Sequence, residues 1–505
     1  MHSNIRRREF MLGTGLSAIF PTAHQRADGI NFYHPADGYS VGDTWYLHRG
    51  GTTHLFYLQR RSKEIGSLGH ATSTDLLHWT EQPVAVRPGA KGSYDESDIY
   101  TGCAYEHNGT IYLYYGSNRF VGERRDEGIC LATSTDGTTF TKYPSNPVIR
   151  PNPKRYYSID EPPPTFKHHA WPLVDCRDIA IVPDTTGGWF GYVVMRRKEV
   201  DAFHSACIAL CRSKDLVHWT VGDPCCTPNR FNCMEVPDVF QIGNRWYMIA
   251  LTADSYGQPI RWSDPNVRHA TIVFSADRPD GPFTEVRDNF VIAGHNRPYG
   301  GGNAARTVEI GGERLMLYTR SEGEVGVVSW PVKLVSRPGG GLLPIYWNGI
   351  DRAFGRPTEV ARVQLHSERG WAVRPVDSFR SSDRGCMISA EVTFRGAEAA
   401  ALAVRYSGRG TAGPAYLAVL DAVNSEVSLV RAPDLLPIQL RRWPIDSGRI
   451  TKLRVLEVAG MLDMYVDDVL VIQCYDKSFT EGGVALLARG GAARFTSIVH
   501  RSERP

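Results

Sequence analysis

The sequence predicts an all-β chain, a five-bladed β-propeller followed by a β-sandwich. Two phrases that recur through the first part of the chain, and the loss of both beyond about residue 358, carry that expectation. A chain of 505 residues is long for one core and suits two domains. We place them at residues 29–357 and 358–505, after an N-terminal segment 1–28.

The first phrase is a glycine turn running into an aromatic, apolar strand. It stands at residues 50–57, 108–115, 187–194, 243–250 and 311–318, which makes five copies. The second phrase follows the first four copies, at residues 70–79, 131–136, 209–219 and 273–277, and is a strand that closes on Ser-x-Asp. A Ser or Asp side chain that bonds its own backbone makes a turn with a mechanism. The Trp or Phe beyond it is expected to pin the outer strand on the next sheet. Repeated all-β units of this size arranged radially form a propeller, and a long sandwich does not explain the even counting. Beyond residue 363 short alternating strands take over, at 387–394, 401–406, 452–458 and 462–471, with Asp467-Asp468 as a hairpin turn. That pattern fits a sandwich.

Composition narrows the function. The formal charge is +3, and no long run of Lys or Arg gives a nucleic-acid footprint. Eleven Trp and 23 Tyr suit sugar stacking as well as a β core. The stretch Arg6-Arg7-Arg8-Glu9-Phe10-Met11-Leu12, an uncharged run to Phe20 and Pro21-Thr22-Ala23 resemble a twin-arginine export signal. A periplasmic or extracellular location follows as an expectation. No later stretch is long and apolar enough for a spanning helix. The ten cysteines lack zinc-site spacing and read as buried free thiols, with a bridge or two left open. No metal or cofactor is expected, and the oligomeric state is open.

In a propeller the innermost strand of each blade faces the central funnel, and that strand lies just before each glycine turn. The five places hold Asp43, Asp98 with Thr101-Gly102, Asp178, Glu235 and Ala305-Arg306. Asp43, Asp178 and Glu235 thus bring carboxylates from three different blades to one axis. Packing like charges together costs free energy and raises at least one pKa. Glycoside cleavage uses such a set, with one carboxylate as nucleophile or base and a protonated one as acid. Met234, Val236 and Pro237 give Glu235 the apolar setting of the acid.

These motifs resemble glycoside hydrolase family 32, the fructan and sucrose hydrolases, and the related levansucrases. Met234-Glu235-Val236-Pro237-Asp238-Val239-Phe240 is similar to the family's E-C-P-D acid/base motif, with Val236 in place of Cys. Arg177-Asp178-Ile179 is similar to its R-D-P motif, and residues 69–79 resemble W-G-H-A-x-S-x-D-L-x-H-W. His54-Leu55-Phe56-Tyr57 resembles Y-H-L-F-Y. The family's N-D-P-N-G is absent; Gly42-Asp43-Thr44-Trp45 stands there, closer to the levansucrase W-D-[ST]-W. The resemblance implies an exported retaining hydrolase of β-fructofuranosidic bonds, with Asp43 as nucleophile, Asp178 as stabiliser and Glu235 as acid/base. Trp45, Gln59, Asp98, Thr101, Arg177 and Arg306 are assigned to substrate contacts, with the glycine-rich loop 299–302 beside Arg306 on the rim. Another furanoside, transfer to a sugar, an inverting mechanism and a non-catalytic sugar-binding propeller stay open as alternatives. The expected partner is an oligo- or polysaccharide.

Overall fold

The computed structural model describes residues 31–36, 38–61, 66–163, 174–256, 267–294, 302–322, 325–382, 384–408, 411 and 413–504. The export-signal segment 1–28 and residues 299–301 of the glycine-rich loop lie outside them.

The aromatic, apolar phrases become the second strands of a β-propeller arrangement. The first sheet runs β1 (Ser40–Arg49), β2 (Thr52–Arg60), β3 (Ser67–Ser73), β4 (Thr80–Val86). The second is β5 (Asp98–His107), β6 (Thr110–Val121), β7 (Arg124–Ser134), β8 (Thr141–Lys142), and the third β9 (Arg177–Pro183), β10 (Trp189–Arg196), β11 (Ala206–Ser213), β12 (Trp219–Cys226). The fourth is β13 (Glu235–Ile242), β14 (Arg245–Ala253), β15 (His269–Ala276), β16 (Thr284–Gly294). In each, strands adjacent in sequence pair antiparallel, as tight glycine turns require.

Five separate blades were expected, and four stand as closed four-stranded sheets. The fifth repeat gives β17 (Asn303–Ile310), β18 (Glu313–Glu322), β19 (Val325–Val328), β20 (Val332–Ser336) and β21 (Leu342–Tyr346). It does not end as a sheet of its own, because Ile345 on β21 pairs with Val469 and carries the hydrogen bonding on into the C-terminal strands. The innermost strands β1, β5, β9, β13 and β17 contact one another in a ring, with β17 returning to β1. Apolar layers fill the spaces between sheets: Trp45, Phe56 and Tyr115 between the first and second, Val41, Tyr57 and Leu317 between the first and the fifth repeat.

The Ser-x-Asp turns close by the expected mechanism in the first three sheets. Leu76 N donates to Ser73 Oγ at 2.8 Å, and Leu77 N and His78 N donate to Asp75 Oδ1, each at 2.9 Å. Ser134/Asp136 and Ser213/Asp215 repeat the arrangement. The aromatic beyond the third turn, Trp219, packs edge-on against Tyr114 of the preceding sheet rather than the next one, with ring centroids 5.9 Å apart.

The C-terminal strands form one hydrogen-bonded path. The long strand Glu481–Ser502 pairs with Ala399–Tyr406 through its first half and with Cys386–Arg395 through its second. It turns at Gly490-Gly491, where φ is +63° and +137° and a Cβ on Gly491 would come within 2.2 Å of Gly396 O. Val392, Leu453 and Val455 from one part pack against Leu402, Tyr416 and Leu429 from the other. The hairpin at Asp467-Asp468 forms as expected, with both residues at positive φ.

The two parts share a core. Trp330, Val332 and Tyr346 pack with Met387, Leu456, Val458 and Tyr465. A buried ion pair crosses with them: Arg320 Nη1 lies 2.7 Å from Asp463 Oδ1, and Arg320 Nη2 donates to Cys474 O at 3.3 Å. All ten cysteines are free thiols, and nine are buried, so the open bridges do not form.

Removing one partner of a buried ion pair leaves the other uncompensated, at about 3–5 kcal/mol. Arg320→Ala is therefore expected to lower the free energy of unfolding by about that amount, read from denaturant midpoints by intrinsic fluorescence.

Candidate active site

Each inner strand breaks register near its start. Bulges fall at Val41/Thr44 on β1, Tyr100/Gly102 on β5 and Glu235/Asp238 on β13. The β9 pairing slips opposite Tyr192/Val194, and β17 slips at Asn303/Arg306. A bulge inserts a residue and re-aims the side chains beside it. Asp178, Val236 and Ala304 sit at φ +54°, +52° and +50°, in the left-handed region that non-glycine residues seldom occupy. The same local distortion thus delivers Asp43, Thr101, Asp178 and Glu235 to one end of the axis.

There they meet. The Thr101 hydroxyl donates to Asp43 Oδ2. Val236 N donates to Asp178 Oδ2 at 3.0 Å. Glu235 Oε1 accepts from Arg177 Nη2 at 3.1 Å, and Tyr256 donates its hydroxyl to Oε2. Arg177 also reaches Asp175 Oδ1 at 2.8 Å, Glu127 Oε2 at 3.6 Å and Asp178 Oδ2 at 3.9 Å. Burial works against its charge, and Asp175, Glu235 and Glu127 more than offset that, so it stays a cation.

All three carboxyls are pushed above the usual carboxylate range. Loss of water raises Asp178 to about 8, with Arg177 opposing and Glu235 and Asp43 adding to the rise. Burial also raises Glu235, which Arg177 and Tyr256 pull down and Asp43 pushes up. Burial raises Asp43 in turn, while the Thr101 bond and the charges of Arg60, Arg306 and Arg177 pull it down. Groups that repel one another in this way titrate as a set, and ionising one makes the next harder to ionise. Such a set does not lose all its protons together, and acid and nucleophile roles require a proton and a charge side by side.

Two predicted substrate contacts are engaged by protein partners instead. Trp45 is 2% exposed and stacks on Phe56, with centroids 6.4 Å apart and planes at 23°. The β1 bulge shifts strand parity, so the residue two places beyond Asp43 turns back between the first two sheets. Arg306 is not on the rim either. It is 3% exposed, and its guanidinium donates to Pro237 O, to Gly102 O at 3.2 Å and to Ile179 O at 3.2 Å. Gln59 is buried opposite Val41, at the edge of the Asp43 bulge. Asp98 lies 3.5 Å from Arg60 Nη2 and accepts from Ile99 N at 3.0 Å. Arg177 and Thr101 touch the carboxyls themselves and position them. Among the described residues no group of three or more His, Cys, Asp or Glu has the arrangement of a metal site.

Tyr256, Asp175 and Glu127 were not singled out from the sequence. The run Val174-Asp175-Cys176-Arg177-Asp178 packs three charges into a strand entry, a signal available for Asp175. Tyr256 ends a short 3-10 turn, Asp254–Tyr256, between β14 and β15, and carries no such mark.

Residues 45–278 match the family model described as the glycosyl hydrolases family 32 N-terminal domain. The chain carries a glycosyl hydrolase family 32 domain. Asp178 and Glu235 lie inside the matched stretch, and Asp43 lies just ahead of it. Among curated relatives, sucrose-6-phosphate hydrolase of Zymomonas mobilis is 30% identical over 212 residues, covering 39% of this chain and 37% of that one. Raffinose invertase of Escherichia coli is 30% identical over 227 residues, covering 43% of this chain and 42% of that one. The matched stretch therefore spans less than half the length of these relatives. A family 32 β-fructofuranosidase of Bombyx mori has the same fold, with a TM-score of 0.65, 17% identity and coverage of 92% of this chain and 93% of that one.

Two outcomes test the family 32 site. Thr101→Val keeps the shape and removes a donor that favours ionised Asp43, so the Asp43 pKa rises and the acid limb of the kcat/KM profile moves to higher pH. Arg306→Met leaves three buried carbonyls unpaired, at roughly 1–3 kcal/mol each. A loss of at least about 3 kcal/mol in chemical denaturation is expected.

Proposed function

We propose that the chain is a retaining β-fructofuranosidase acting on sucrose or a fructan such as inulin or levan. The observation that supports this above others is the meeting of Asp43, Asp178 and Glu235 from three inner strands, all raised and all mutually repelling. Two relatives named for sucrose-6-phosphate and raffinose cleavage support the β-fructosidic bond as the target.

In this reading an Asp43 carboxylate oxygen attacks the anomeric carbon of the fructosyl unit. The bond to the leaving oxygen breaks as protonated Glu235 gives that oxygen its proton. Water then attacks the same carbon, loses a proton to Glu235 and frees Asp43. Asp178, fixed by Val236 N–H, takes hydroxyls of the sugar and steadies the transition state through those hydrogen bonds. Tyr256 and Arg177 hold the Glu235 carboxyl in place between the two steps.

The same reading takes the fifth repeat as a fifth blade, supported by the closed ring of inner strands. It takes the C-terminal strands, from about residue 358, as a sandwich folded over at Gly490-Gly491. Export through the N-terminal twin-arginine-like segment to the periplasm or beyond belongs to it as well.

The test is release of reducing sugar from sucrose, inulin, levan and arabinofuranosides by wild type, Glu235→Gln and Asp43→Asn. Fructose release that falls roughly a thousandfold in either variant is the expected result. Activity confined to arabinofuranosides would move the substrate. Sugar binding without any cleavage would overturn the enzyme reading in favour of a binding propeller.

A further inference from the structure

Two of the second-to-third strand connections reach the starts of inner strands. Tyr256, between β14 and β15, reaches Glu235, and Arg60, at the end of β2, reaches Asp98. The equivalent connection in the second sheet is the β6–β7 hairpin, and it is extended. Strand β5 begins at Asp98, paired with Asn118, while β6 and β7 continue pairing through Arg119↔Asp126, Phe120↔Arg125 and Val121↔Arg124. Three more rungs carry the hairpin about 10 Å past the inner strand.

Its face is set by alternation. A Cβ on Gly116 would lie 3.0 Å from the Cβ of Tyr100 and 3.2 Å from the Cβ of Arg177, so Gly116, Asn118 and Phe120 share the face turned to Tyr100 and to β9. Above Gly116, Asn118 Nδ2 donates to the Tyr100 hydroxyl at 2.7 Å, and Arg125 Nη1 donates to it at 2.6 Å. That bond holds the Arg125 guanidinium 5.4 Å from the Phe120 ring centroid. The Phe120 side chain is 48% exposed, with one side backed by a cation. Among the described residues up to 357, the exposed large apolar side chains are Phe120, Val121 and Val325. Val325 opens β19, just after the same connection in the fifth repeat. Apolar surface that the propeller leaves in water is therefore gathered on these connections.

We propose that Phe120, backed by Arg125, is the stacking platform for the sugar unit on the leaving side of the scissile bond. The fructosyl unit occupies the buried carboxyl end, so the remainder of the substrate must extend toward the mouth. A sugar ring presents an axial C–H face that packs on an aromatic ring, while its hydroxyls remain in water. The proposal rests on the fructosidase reading above.

The experiment compares kcat/KM for methyl β-fructofuranoside and for a fructosyl trisaccharide in wild type, Phe120→Ala and Phe120→Trp. The trisaccharide-to-methyl ratio is expected to fall about tenfold in Phe120→Ala, mostly through KM, and to recover in Phe120→Trp. An unchanged ratio in Phe120→Ala would overturn the platform while leaving the fructosidase reading intact. An unchanged ratio with loss of a dimer in light scattering would assign the patch to contact between copies of the chain instead. Wild type that cleaves neither fructoside would overturn both readings together.

Discussion

Bulging the inner strands has a cost that one guanidinium offsets. Each slip in the ladder frees a backbone carbonyl in a buried place, where an unpaired polar group is expensive. Gly102, Ile179 and Pro237 stand at the slips of β5, β9 and β13, and all three carbonyls accept from Arg306, itself at the slip of β17. The freed carbonyl of β1, Gly42 O, accepts from Thr319 Oγ1 on β18 at 2.6 Å. The distortion that aims the carboxyls is thus stabilised by side chains of the fifth repeat. Left-handed Asp178 and Val236 can persist because the surrounding bonds over-determine them.

A second layer holds the acids themselves. Arg177 is almost wholly buried, yet it touches Asp175, Glu127, Asp178 and Glu235. One cation among four carboxyls keeps their charges tolerable without cancelling their repulsion. Glu127, Asp178 and Glu235 remain raised, which separates this cluster from an ordinary structural ion-pair network. Further along β18, Arg320 and Tyr318 flank Thr319 and are held by Asp463 and Gln473 of the C-terminal part. The brace on the Asp43 strand is therefore anchored outside the propeller arrangement.

The repeat was legible in the sequence because it is local. Glycine turns, aromatic strands and Ser-x-Asp closures each depend on a few neighbouring residues, and their phase placed Asp43, Asp178 and Glu235 on inner strands. The hairpin at Asp467-Asp468 was legible for the same reason. The bulges were not, since a slip is a relation between two strands and leaves no mark in one. Trp45 and Arg306 were misassigned on that account: counting two or three residues from an inner-strand carboxylate assumes a parity that the bulge breaks. An arginine in an apolar strand entry reads as a ligand contact until its carbonyl partners are known. The join between the fifth repeat and the C-terminal strands hangs on one pairing, Ile345 with Val469, far beyond the reach of local pattern.

The free thiols are spread through the packing layers: Cys130 between the first two sheets, Cys176, Cys207 and Cys211 in the next layer, Cys225 and Cys226 in the one after, and Cys386 and Cys474 in the C-terminal core. Burial raises these thiols above their ordinary range, so the reactive thiolate is scarce while the layers stay shut. The chain consequently carries a set of dormant reporters in several of its layers, each of which becomes alkylatable only when its own layer opens.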